Sequence, residues 1–310
     1  MKRRGFLAML GSLALAGRVG AQTATGPALG EPQSFSADLL LAEAEALARR
    51  PYRPRRLVPD EWIGLSYDEY RAIWFKTDRA LWQDTGGPLR VDLLQPGLYY
   101  TRPTQINLVT GTTAREVPFD LALFDRTDQV PELPGGPGLG YSGFRMRAET
   151  EKAGIHQEFM VFQGASYFRA IGNGQTYGLS ARGLALNTAD PAGEEFPDFS
   201  RFWIETPAAG ATGFVVHALL DSASATGAYR FDISPGATTV VNVTATLFAR
   251  TALGNVGLAP LTSMFLFDET NRSRFDDYRA GVHDSDGLLI RNGAGETLWR
   301  PLANPRDLQI

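Results

Sequence analysis

The stretch TTVVNVTATLFAR, residues 238–250, alternates apolar and polar side chains. Val241, Val243, Ala245 and Leu247 fall on one side, and Asn242, Thr244 and Thr246 on the other. That two-residue period is the signature of a strand with one buried and one solvated face. Working outward, GFVVHALLDS (213–222), GAYRFDISPG (227–236), SRFWIET (200–206) and HQEFMVFQG (156–164) behave in the same way, each bounded by turn residues. Strands at this spacing with no helices between them predict an all-β chain folded as a large antiparallel sandwich. The 33 glycines and 19 prolines spread along the chain provide the turns that such a fold needs.

Helical signals are confined to the N-terminal side. SADLLLAEAEALARR, residues 36–50, has Ser36 as N-cap and is stopped by Pro51. SYDEYRAIWF, residues 66–75, starts at Ser66 with Asp68 and Glu69 placed to favour the helix dipole. Residues 22–34 read as a flexible lead-in, and ELPGGPGLGYSG (132–143) as a mobile loop beside a cleft.

The first residues, MKRRGFLAMLGSLALAGRVGAQ, combine Arg3-Arg4, an apolar run of about 12 residues and the small-residue site Val19-Gly20-Ala21. This reads as a signal peptide of the twin-arginine type over residues 1–21 and implies export. A membrane span would need roughly 20 apolar residues. Removing residues 1–21 takes away four basic residues and no acidic one, so 30 basic against 34 acidic becomes 26 against 34. An acidic surface repels phosphate backbones, which argues against a nucleic-acid partner. With no cysteine, disulfides and thiolate metal sites are excluded.

Only three histidines are present, and AGVHDSDGLLI (280–290) sets one of them, His283, against Asp284 and Asp286. A calcium loop beginning at Asp284 would need glycine at its sixth position and an acid at its twelfth, where Leu289 and Gly295 stand. IGNGQTYG (171–178) lacks the helix a dinucleotide site requires, and no G-x-S-x-G elbow exists. No cofactor or metal is therefore expected. His217 lies in mid-strand and reads as structural. The carboxylates of Asp284 and Asp286 suit the acid–base chemistry of glycoside hydrolysis, although a solvated turn satisfies the same pattern. Candidate sugar-binding side chains are the aromatics Tyr167, Tyr177, Trp203 and Trp299 with Arg169, Glu194 and Glu195.

GASYFRAIGNGQTYGLSARGLAL, GEEFPDFSRFWIE, ALLDSASATGAYRF, APLTSMFLF, VHDSDGL and WRPLANP, in that order, resemble the glucans biosynthesis family of OpgG and OpgD, also called MdoG, over roughly residues 35–310. The resemblance implies a periplasmic protein acting on osmoregulated glucans with a β-1,2-linked backbone. It further implies a sandwich of the galactose mutarotase type followed by an immunoglobulin-like domain. The twin-arginine signal is closer to OpgD. Some members are inverting endo-β-1,2-glucanases, and by position their general base matches Asp284, with His283 orienting it and Asp286 shaping the turn. The segment departs from the family in having Ala280 and Gly281 before Val282, where a proline and a glutamate are usual. The family's general acid lies beyond WRPLANP, so the chain is expected to stop partway through a larger domain, without the immunoglobulin-like one. The alternative role is a non-catalytic glucan-binding component that assists the inner-membrane glucan synthase.

Overall fold

The computed structural model describes residues 26–136, 138–258 and 260–303. The expected export signal and residues 22–25 of the lead-in lie outside them. The architecture is an all-β sandwich. One sheet has seven strands, in the spatial order Pro32–Ser34, Thr113–Glu116, Gln105–Thr110, Asp198–Glu205, Phe214–Asp221, Ala225–Ser234 and Val240–Ala249. The other has six, in the order Leu261–Thr262, Ser180–Arg182, Tyr167–Ala170, Gln157–Gln163, Gly143–Ala148 and Leu89–Leu94. Neighbours pair antiparallel except Asp198–Glu205 with Gln105–Thr110, which run parallel.

Aromatic rings interleave between the sheets. Phe144 and Phe162 of the six-stranded sheet meet Phe202 of the seven-stranded sheet edge-on at 5.1 and 5.3 Å, and Phe162 meets Phe231 at 5.1 Å. Each such pair adds about 0.5–1.5 kcal/mol beyond its area burial. Gly143 is required by a close approach: a Cβ there would lie 2.0 Å from the carbonyl oxygen of Phe162.

The helix Ala37–Ala48 lies on the opposite face of the seven-stranded sheet. It is capped by Ser36, whose hydroxyl accepts from the Leu39 N–H at 3.1 Å. Leu40 and Ala44 pack onto Val109, Ala114, Trp203 and Leu219. The helix therefore covers a face that a simple sandwich leaves wet, and Asp198–Glu205 is buried on both sides.

Four sequence expectations are corrected. The second helix stops at Arg71, and Ile73–Phe75 is a strand paired with Phe124–Arg126. Its buried-exposed-buried pattern is that of a strand. A further short helix, Asp60–Ile63, carries the fully buried Trp62. Pro32–Ser34, read as flexible, is tied into the sheet by Thr113–Glu116. Val240–Ala249 is a strand as expected, but not a half-buried one. It ends the sheet, and Val243 remains 43% exposed. Among the described residues, no helix is long and apolar enough to cross a membrane.

Candidate functional site

Alternation along the strands of the six-stranded sheet sends Phe144, Met146, Phe162 and Phe168 into the core. Their neighbours in sequence, Arg145, Arg147, Val161, Gln163, Tyr167 and Arg169, take the outer face. On that face lies a cleft of about 320 Å³ lined by Tyr99, Tyr100, Gln163, Tyr167, Arg169 and Ser180 among others. A smaller cavity of about 180 Å³ shares Tyr99, Tyr100, Gly164 and Ala165 and leads on to Arg55, Arg102 and Asp198. Two of the expected sugar-binding residues, Tyr167 and Arg169, thus line one cleft. Aromatic faces with a few hydrogen-bonding groups are what a carbohydrate site needs, since sugars present apolar ring faces and a rim of hydroxyls.

Sequence reasoning missed Tyr99 and Tyr100. They sit in the tight turn PGLYY, closed by mutual backbone hydrogen bonds between Gly97 and Tyr100 at 3.0 and 2.8 Å. Leu98 has a φ of 50°, and Tyr99 stands 79% exposed at the turn's tip. Two adjacent tyrosines after a Pro-Gly turn were the available signal. Burial pushes the Tyr100 phenol upward, partly offset by the positive charge of Arg169.

The other expected residues divide into groups. Tyr177 stands beside Arg169, whose guanidinium lies 4.8 Å from its ring centroid, and burial together with the Glu158 charge pushes its phenol upward. Glu194 is held by Arg182 at 2.5 Å, and Glu195 accepts from Ser224 N and Oγ at 2.9 and 2.6 Å. Burial disfavours the ionised Glu195, but hydrogen bonds from Ser222 and Ser224 with the Arg250 charge hold it below its ordinary value. Both carboxylates are thereby engaged within the protein.

Trp203 is only 7% exposed; Phe35 stacks on it at 5.4 Å and the Arg201 guanidinium lies over it at 5.3 Å. No ring face is free, so the stacking role expected of it is not available in this fold. Trp299 is 55% exposed, on a two-stranded hairpin formed by Gly287–Arg291 and Thr297–Pro301. His217 packs on Phe35 and bonds Glu205 at 2.8 Å, a structural placement.

The His283–Asp286 turn is well tied. The His283 ring bonds the Phe267 carbonyl at 3.2 Å through Nδ1 and the Asp286 carboxylate at 2.8 Å through Nε2. The Phe267 carbonyl, then Asp286, raise the His283 imidazole above its usual range. Asp284 and Met264 exchange hydrogen bonds: Asp284 N donates to Met264 O at 2.8 Å, and Met264 N donates to Asp284 Oδ2 at 3.1 Å. Met264 follows Leu261–Thr262, where Thr262 pairs with the cleft residue Ser180. Asp284 is therefore connected to the rim of the cleft, without lining it. Among the described residues, no group of three or more His, Asp or Glu is placed to hold a metal ion.

The chain matches a family described as "Periplasmic glucan biosynthesis protein, MdoG" over residues 35–310. It is 48% identical over 278 residues to Glucans biosynthesis protein G of Shewanella putrefaciens, covering 89% of this chain and 51% of that relative. The figures for Glucans biosynthesis protein G of Vibrio cholerae serotype O1 are the same: 48% over 278 residues, 89% and 51%. The chain spans about half the length of the curated relatives it matches.

Proposed function

The chain belongs to the MdoG family of periplasmic glucan biosynthesis proteins, and on that premise we propose that it is exported to the periplasm and binds glucan in the outer cleft of the six-stranded sheet. The observation that carries the reading is the grouping of Tyr99, Tyr100, Tyr167 and Arg169 around one open cleft. Tyrosine faces take the C–H faces of glucose, and Arg169 donates to hydroxyls. The backbone we assign to the ligand is β-1,2-linked.

The catalytic form of the proposal makes the protein an inverting endo-β-1,2-glucanase with Asp284 as general base. Asp284 Oδ2 is occupied by the Met264 N–H, and Oδ1 has no hydrogen-bond partner among the described residues. An ionised carboxylate so placed can accept a proton from a water attacking the anomeric carbon. His283 fixes the turn, and Asp286 fixes His283. The second reading, a binding component that assists the inner-membrane glucan synthase, is favoured by a different observation. The residues lining the 320 Å³ cleft include no carboxylate, whereas glycoside hydrolysis needs two.

Mass spectrometry of linear β-1,2-glucan, together with its binding isotherm, tests both forms. A hydrolase releases short glucans, and Asp284→Asn slows that release by about 10²–10⁴-fold with binding retained. A binder leaves the glucan intact, and Tyr167→Ala weakens its affinity. If the unmutated chain neither binds nor cleaves the glucan, the cleft is not a glucan site.

A further inference from the structure

Arg182 lies beside the cleft, directly opposite Tyr167 in the strand register and so on the same face of the sheet. Its side chain is 5% exposed, and its guanidinium sits between the Tyr167 ring at 5.3 Å and the Phe196 ring at 4.8 Å. Only Nη1 is engaged, donating to Glu194 Oε1 at 2.5 Å. Nε and Nη2 are buried and have no hydrogen-bond partner among the described residues. These two nitrogens form the edge with which arginine makes two parallel hydrogen bonds. A buried cation with that edge empty is costly, and buried donors are otherwise almost always paired. The arrangement calls for a ligand oxygen.

We propose that Arg182 is a sugar-binding residue at the margin of the cleft, whose Nε–Nη2 edge donates to adjacent hydroxyl oxygens of a glucose unit bound beside the Tyr167 ring. The proposal rests on the reading of the cleft as a glucan site. The chemistry is matched, because neighbouring ring hydroxyls present two acceptor oxygens side by side to the planar fork. Glu194 holds the opposite end and turns the free edge away from itself. Phe196 is the cover: its ring is 50% exposed and sits on a loop with left-handed backbone at Asn187 and Ala189. Displacing that ring uncovers the guanidinium without disturbing the sheet.

The test is an NMR titration of the arginine Nε–H signals of the unmutated chain with linear β-1,2-glucan. The Arg182 signal is identified by its loss in Arg182→Lys. We expect the Arg182 and Arg169 signals both to move, and Arg182→Lys to bind about tenfold more weakly, because lysine keeps the charge for Glu194 but not the fork. Phe196→Ala keeps or improves affinity. If the Arg169 signal moves and that of Arg182 does not, the proposal is overturned whatever the affinity of the variant. If no signal moves and the unmutated chain does not bind, the glucan reading of the cleft has failed and takes this inference with it.

Discussion

Tyr167 and Trp203 are both aromatic residues on strands, and both are plausible sugar platforms by residue type alone. Tyr167 lies half-buried on the outer face of the six-stranded sheet, where it lines the cleft. Trp203 lies on the outer face of the seven-stranded sheet, where a helix covers it. The difference comes from what packs on the strand, which no local pattern encodes. His283 shows the same dependence in its ionisation. Its protonated form is favoured by the fold, so the stabilisation it contributes is complete below the ordinary imidazole value of about 6.5 and is lost as pH rises through its raised value. The protection factor of the Asp284 amide, its exchange corrected for the base-catalysed intrinsic rate, is expected to be higher below about pH 6 than above neutrality, given that ordinary value. In His283→Gln this dependence should flatten. An NMR midpoint for His283 at or below the ordinary value would contradict the account.

Among elements, the helix Ala37–Ala48 was legible because its cap and stop are written locally. Ser36→Ala is expected to cost about 1 kcal/mol, read as a lower melting temperature, since it frees the Leu39 N–H. SYDEYRAIWF reads as one helix from sequence because its first half carries a true capping box, Ser66 with Glu69. The strand that follows forms only because Phe124–Arg126 arrives to pair with it. Val240–Ala249 has ten residues without a charge or a proline, on a sheet edge that is open among the described residues. Such an edge invites pairing with other chains. Val243→Lys should therefore reduce self-association in light scattering while changing stability by no more than about 0.5 kcal/mol. The Gly287–Arg291 and Thr297–Pro301 hairpin exposes Leu288, Leu289, Leu298 and Trp299. A lone two-stranded hairpin is marginal in water, so the local exchange of its amides should be fast.

At the scale of the molecule, stability resides where the sheets interleave. Phe231 is fully buried and touches Phe162, Phe168, Phe199 and Tyr229. Phe231→Ala is expected to cost about 3–5 kcal/mol in a denaturant titration, a large share of a typical total of about 5–15 kcal/mol. Trp299→Ala, on the exposed hairpin, should change it by about 0.5 kcal/mol or less. Equal effects from the two would mean that the core is not where the burial pattern places it.

The sequence by itself determined the all-β class, most of the long strands, the first helix and the family, because alternation, caps and turn residues act over a few positions. It also pointed to Tyr167 and Arg169, which share one strand and, by alternation, one face. It could not tell that Trp203 would be covered, or that Tyr99 and Tyr100 would face Tyr167 across a cleft. Nor could it tell that Arg182 would be buried with an empty edge. Those facts depend on which surfaces meet when residues on different elements are brought together. Only the tertiary structure decides that, through the burial of one set of side chains that leaves another set exposed.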